Sequence, residues 1–528
     1  MNMHQKTNWF HWLILLTILA AAFFVRFWNI EGAPAGIYPD EAVNGIDAIK
    51  VNLGEQPFQW FYQDNNGREG LFMNLIALSF QILGVSVLGL KLPSIIFGTL
   101  TVLGVFLLAK EVFRTPRAGL FAAYLTAFSF WSINFSRISF RAIILPFVLT
   151  FSFYFLLRAI RTKSFWQFAV SGFIFGIGLH TYIAFRIAPV ILIVLFLGLL
   201  LVKKHLFHSY WKQAIVFIIF MLISSGPILW TFYTHPEFLE SRSASISVFS
   251  PEVNKGNLLS TIGRSFGLSL AKYNFWGDQN WRHNYPPYPI LNPLVGISFL
   301  IGLIYLIVKF FHLFWLRIRH DIRDQKLFMY AFLLVWFFSM LAPEFLTAEG
   351  LPHALRAIGT LPVVFIIATV PILWILGKAD DFNPSTKTFF FSFIIALLVF
   401  VGIFDVVKYH YFWTNNPSQH QSFESSLLLM AKFIQELPAE REKVVVAENM
   451  QRIPIKLFNY QAQNIHYVHP QEIKSFLDER KLTNPVFILT NKNDSMIEIL
   501  KKYYPLSQLK GISTDKAIKF DTKFCVFR

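Results

Sequence analysis

Residues 1–410 are built from apolar runs separated by short polar intervals. The runs cover Trp9–Trp28, 92–113, 117–135, 142–160, 165–183, 187–203, 213–233, 290–311, 327–343, 357–377 and 388–408. Each is close to the ~20 helical residues that cross a hydrocarbon core. The first run reads as a retained helix rather than a cleaved leader. Ala33-Pro34-Ala35 lies downstream of it, but Arg26 interrupts its end and its flank is weakly basic. Residues 70–90 (GLFMNLIALSFQILGVSVLGL) are ambiguous by length alone. Laid on the outer surface, they leave Lys110, Arg114, Arg117, Arg158, Arg161, Lys163, Lys203, Lys204, Lys212, Lys309, Arg317, Arg319, Arg323, Lys326, Lys378 and Lys387 inside, as the positive-inside rule asks. The pattern therefore predicts about eleven spans with the N-terminus inside.

Three intervals are long enough to do more than connect helices. Asn29–Lys91 is acidic, and Thr234–Pro289 is rich in Trp, Tyr and Pro. From Tyr411 the pattern changes. Short β-rich runs at 444–449, 465–469, 485–490 and 523–528 alternate with helical stretches such as QEIKSFLDER and SMIEILKKYY. The expected fold class is an all-α polytopic membrane protein over 1–410, with a small α/β domain over 411–528 outside the membrane.

Composition agrees. The 528 residues are 55% hydrophobic and 15% charged, against about 25% charged in soluble domains. The net charge of +16 sits in the loops, where it sets topology and contacts anionic lipid, so the bilayer is a partner and nucleic acid is not. Cys525 is the sole cysteine, which excludes an intramolecular disulfide and a cysteine metal site.

Candidate chemistry gathers at the expected outer ends. Asp40 and Glu41 open a helical stretch in GIYPDEAVNGIDA. Asp40 near the N-cap is read equally as a helix cap or as a general base. Adjacent positions diverge on a helix, so one of the pair faces a pocket. Gly67-Arg68-Glu69-Gly70 opens the surface helix. Arg137 and Arg141 lie in NFSRISFRAIILP, Arg186 follows His180 and Tyr182 in HTYIAFRIAP, and Arg356 follows His353 in HALRAIGTLP. Outer arginines with no acidic neighbour call for an anion, and a lipid phosphate is the obvious one; plain interfacial snorkelling is the competing reading. No nucleotide-binding or hydrolase motif stands in a credible context, so the donor is expected to be lipid-carried.

These residues, in this order, resemble the bacterial relatives of the dolichyl-phosphate-mannose protein mannosyltransferases and the lipid A aminoarabinose transferases, GT-C superfamily glycosyltransferases. The resemblance covers about 1–410 and rests on YPDEA, the charged pair at the surface helix, the Ser136-Arg137 motif, HTYIAFRIAP and HALRAIGTLP. It implies Asp40 as catalytic base with Glu41 beside it. Arg68, Arg137 and Arg356 match the family's holders of the polyprenyl phosphate; the outer-end pattern adds Arg141, Arg186 and His353 to them, with Glu69, Tyr182 and His180 as candidate acceptor or supporting groups. Many relatives carry an aspartate about five residues past the Ser-Arg motif, where Ala142 stands here. That departure implies no cofactor and metal-independent chemistry. The expected function is inverting transfer of a sugar from a polyprenyl-phosphate donor to a hydroxyl of a protein, lipid or cell-wall glycan. Its place would be the outer face of a bacterial inner membrane. A lipid-linked sugar flippase and a surface-glycan polymerase or ligase are the alternatives. No inverted repeat favours the flippase.

Overall fold

The computed structural model describes residues 3–65, 67–202, 206–239, 246–322, 324–379, 381–490, 494–513 and 523–527. Lys203, Lys204, Arg323 and Arg528 lie outside the described residues. The chain divides into two compact units. One comprises 1–28, 59–72 and 94–409; the other gathers 29–58 and 73–93 with 410–528.

The first unit is a helical membrane body. Eight helices among the described residues are long and apolar enough to cross a bilayer: Trp9–Phe27, Val87–Phe113, Arg141–Thr162, Ser209–Thr234, Pro293–His320, Gln325–Phe345, Ile358–Ala379 and Pro384–Trp413. Phe165–His180 and Ile183–Leu199 are shorter apolar helices. The run at 70–90 is no span. It breaks at Gly84 into a helix of only 13 residues, Leu71–Leu83, and the start of Val87–Phe113.

The run at 117–135 departs from expectation. It forms one helix over Pro116–Phe128 and a second over Phe130–Phe135, parted by Ser129 in an extended conformation. The break is tolerated because a side chain supplies what the helix gives up. Asp405 Oδ2 accepts the Phe130 N–H at 3.2 Å, and its Oδ1 accepts Asn292 Nδ2 at 3.2 Å. Away from water, a freed backbone donor needs such a partner. Elsewhere small residues set the packing. A side chain at Gly172 would strike the carbonyl of Phe217, so Phe165–Ile177 and Leu206–Thr234 approach at backbone distance. Arg114 and Arg161, placed on one membrane side by the charge count, meet on a single carboxylate, Glu111, at 2.7 and 2.9 Å.

The second unit holds a five-stranded sheet. Its strands are β1 (Lys443–Val446), β2 (Ile465–Val468), β3 (Val486–Leu489), β4 (Leu509–Ser513) and β5 (Lys523–Phe527), in the order β2-β1-β3-β5-β4. β1 runs parallel to β2 and β3, while β5 is antiparallel to both β3 and β4. The apolar strand runs do not alternate, because both faces are covered. Val444, Val446, Phe487 and Leu489 pack with Ile473, Leu477 and Leu500 on one face. Val445, Val486 and Ile488 pack with Leu427, Met430 and Ile455 on the other. The expected strands and two expected helices are thus in place. Strand β4 and the helices Ser425–Glu436 and Asn449–Phe458 are additions.

Candidate active site

Asp40 and Glu41 lie in the second unit, in the helix Pro39–Asn52. The cap is Tyr38, in an extended conformation, with Pro39 fixing the first turn. Asp40 is therefore not the N-cap. The capping carboxylate is Glu41, fully buried, whose Oε1 accepts the Tyr38 N–H at 3.3 Å. Asp40 is half-buried and, at helical spacing, shares a stripe with the buried Asn44 and Asp47. The cap thus falls to Glu41 and not to Asp40.

The other named residues lie in the first unit. Arg68 and Glu69 form one strand of a two-residue hairpin with Phe61–Tyr62, in the register Phe61 to Glu69 and Tyr62 to Arg68. Gly67, at φ +80°, makes the turn. Both charged side chains are buried. Arg68 Nε donates to the Asp64 carbonyl of its own hairpin at 3.0 Å. Glu69 Oε2 accepts Arg141 Nε at 2.7 Å. Arg141 thus has an acidic neighbour, contrary to the sequence expectation, from a residue 72 positions away. Its guanidinium lies 5.6 Å from the Tyr182 ring. Burial pushes the Tyr182 hydroxyl above its ordinary value, against the opposing pull of the Arg141 charge. His180 packs its ring 5.2 Å from Trp60, and its Nε2 sits 2.9 Å from the Ser224 carbonyl, so Nε2 carries the proton. The structure therefore brings Glu69, Arg141 and Tyr182 together, while the partners of His180 are Trp60 and Ser224.

Arg137 and Arg186 are placed differently. Arg137 is fully buried, and its Nη1 donates to the carbonyls of Val25 and Arg26 at 2.8 and 2.7 Å. Arg26, which the sequence reading treated only as the end of an apolar run, is equally buried. Its guanidinium donates to the carbonyls of Ala22 and Ala127 and to the hydroxyls of Ser132 and Ser136. Together the two arginines fasten the end of the first helix to the Ser-Arg segment. Arg186 lies 5.4 Å from the Phe232 ring, a cation–π contact that leaves charge to offer. Arg356 pairs with exposed Glu349 at 3.2 Å and also donates to that residue's carbonyl.

A second polar group adjoins Arg356, and sequence reasoning found only part of it. Lys272 Nζ and Glu344 Oε2 form a fully buried pair at 2.5 Å. Glu344 Oε1 accepts the His353 N–H at 2.8 Å. Asp278 Oδ2 accepts His283 Nδ1 at 3.0 Å and the Ala354 N–H at 2.7 Å. Burial pushes the Asp278 carboxyl up, but His283 and then His353 outweigh it and leave it below the usual range. Burial, then His283 and Arg356, hold the His353 imidazole well below its ordinary value, so it is neutral. Ligand atoms of Asp278, His283 and His353 lie within 4.8 Å of one another. Among the named residues, this donor set of two imidazoles and a carboxylate is the one that could hold a divalent cation such as zinc. Its signal in sequence was faint: Asp278 and His283 are five apart in an aromatic loop, and the third member is 70 residues on.

A family model described as dolichyl-phosphate-mannose-protein mannosyltransferase matches residues 71–230. No protein of curated function matches in sequence. Among solved structures the chain is similar to ArnT from Cupriavidus metallidurans bound to undecaprenyl phosphate, with 12% identity over 97% of each chain and a TM-score of 0.52. ArnT in the apo state gives 12% identity over 99% of this chain and 98% of that one, with a TM-score of 0.53. The Archaeoglobus fulgidus oligosaccharyltransferase tethered to an acceptor peptide gives 14% identity over 95% and 69%, with a TM-score of 0.49. The chain thus shares the fold of ArnT along nearly its whole length, and the mannosyltransferase family model matches residues 71–230.

Proposed function

We propose that this protein is a membrane glycosyltransferase that moves a sugar from a polyprenyl-phosphate donor to an acceptor hydroxyl, with inversion. The observation that carries the reading is Arg141, held between Glu69 and the Tyr182 ring, within a fold that in ArnT accommodates undecaprenyl phosphate. A phosphate leaving group needs cations held ready where its charge develops. Arg141 is assigned to it first, with Arg356, Arg186 and His353 behind it. Arg137 and Arg68, each with one guanidinium nitrogen on backbone carbonyls, are assigned to position the site.

Asp40 is assigned as the general base. It takes the proton of the acceptor hydroxyl as that oxygen attacks the anomeric carbon, and the bond from that carbon to the phosphate oxygen breaks on the opposite side. The electron pair leaves with the phosphate. No step is routed through a metal. The acceptor is a protein, lipid or cell-wall glycan, and the reaction is assigned to the outer face of a bacterial inner membrane.

The test is Asp40→Asn. A positioned base contributes about 10²–10⁴-fold, so turnover should fall by that factor with donor binding and thermal stability kept. Glu41→Ala should instead lower stability through the cap and leave residual transfer. Near-normal transfer by Asp40→Asn would remove the base assignment. A chelator should leave transfer intact; loss restored by added metal would bring the Asp278, His283 and His353 group into the reaction.

A further inference from the structure

A cavity of about 320 Å³ opens in the second unit, where no role has been assigned. That volume is at the low end of small-molecule sites, which run ~300–1,000 Å³. It lies at the amino ends of β1 and β2, lined by Lys443 and Ile465, the first residues of those strands. Open α/β sheets hold nucleotides at the opposite, carboxyl ends of their strands.

The surrounding backbone also disfavours an anion. The helices Ser425–Glu436 and Asn449–Phe458 both bring their C-terminal ends here, through Gln435 and Phe458. Helix C-termini present carbonyls and partial negative charge. Some of those carbonyls are already used. Gln435 Nε2 donates to the Phe458 carbonyl at 2.7 Å. Asn459 Nδ2 donates to the carbonyls of Ala431 and Ile455 at 3.2 and 3.0 Å.

Those two bonds fix the orientation of the Asn459 amide. Its Oδ1 is then an acceptor that no donor reaches among the described residues, on a side chain 5% exposed that lines the cavity. Such an atom costs free energy unless something donates to it. Lys443 lines the same cavity, and its ammonium donates to the Ala439 carbonyl at a long 3.4 Å. Phe458 and Tyr460 add aromatic surface. The Tyr460 hydroxyl is held on Glu55 at 2.6 Å. The site thus offers a fixed acceptor, a weakly held ammonium donor, side-chain amides and ring faces. Hydroxyl groups, which donate and accept, satisfy all of these at once; phosphate does not.

We propose that this cavity binds one ring of a neutral saccharide, with a sugar hydroxyl donating to Asn459 Oδ1 and Lys443 Nζ donating to a sugar oxygen. Only its use, as a hold on a glycan acceptor, rests on the glycosyltransferase reading; the binding itself does not.

The experiment is saturation-transfer NMR on the full chain in a detergent without sugar groups. The probes are glucose, mannose, galactose and N-acetylglucosamine, with glucuronate and inorganic phosphate beside them. At least one neutral sugar should bind, with phosphate silent. Asn459→Leu should weaken binding about tenfold. Because Asn459 is buried, the exposed Gln461→Trp provides a second variant that fills the mouth of the cavity and should abolish the signal at unchanged thermal stability. Asp40→Asn should bind sugar as the parent does, which separates failure of the cavity from failure of the transfer reading. Absence of binding by all four neutral sugars, binding unchanged by Gln461→Trp, or preference for phosphate or glucuronate would each overturn the proposal.

Discussion

Two pairs of arginines in the membrane body hold very different things. Arg26 and Arg137 spend their donors on backbone carbonyls and serine hydroxyls where helices end. Arg141 and Arg356 rest on carboxylates, those of Glu69 and Glu349. A guanidinium that leaves a buried carbonyl strands it, because no water takes its place. A guanidinium that leaves a carboxylate for a phosphate trades one anion for another. So Arg137 and Arg141, four residues apart in one motif, rest on different partners, backbone carbonyls for one and a carboxylate for the other, and under the proposed function only the second exchanges its partner for a ligand.

The contrast breaks most visibly at the first pair. Arg26→Leu or Arg137→Leu should cost about 3 kcal/mol or more, since several buried acceptors lose their partner together. Little monodisperse protein should survive size-exclusion chromatography. A well-behaved Arg26→Leu protein with unshifted melting would erase the distinction. Next in size is Arg141→Gln. Loss of a charged hydrogen bond is worth about 1.5–3 kcal/mol, so donor use should fall ten- to a hundredfold with the fold kept, read as kcat/KM at constant Tm. Arg356→Ala should be milder. Its partner Glu349 is 48% exposed, and such pairs contribute about 0–1 kcal/mol, so stability should barely move and the loss in donor use should lie between those of Arg141→Gln and Arg158→Ala. An Arg158→Ala loss equal to the other two would return all of these arginines to interfacial snorkelling.

The smallest effect sits in the second unit. Burial holds the His420 imidazole below its ordinary 6.5. The unfolded chain then binds the proton first, so stability is complete above about pH 6.5 and declines as pH falls below it. His420→Gln should flatten that decline in thermal melts between pH 7 and 5. An unchanged slope would mean that another group sets it.

What the sequence disclosed follows from distance along the chain. Apolar run length and loop charge are local signals, and the eight long helices and the strands β1, β2, β3 and β5 were legible from them. The break at Ser129 was not, because the carboxylate that permits it comes from Asp405, 275 positions from the N–H it accepts. The partner of Arg141 was hidden in the same way. Capping by Glu41 rather than Asp40 turned on a shift of the helix start to Tyr38, a matter of two residues. Asp278 and His283 were passed over because their meaning depends on His353, which only the folded chain brings beside them. Strand β4, LKGIS, carries lysine and glycine and lacks the apolar run that marked its neighbours.

The strand order of the second unit has a consequence for synthesis. β4 is made before β5, yet its place in the sheet is defined only through β5, which lies between it and β3. Until Lys523–Phe527 has left the ribosome, β3 presents an unfilled edge and β4 has nothing to pair with. The sheet is therefore completed out of order, by late insertion rather than stepwise growth. A chain cut short at Thr522 would lose two strands' worth of pairing by deleting one, and would carry the raw edge of β3 as a site for association with other chains.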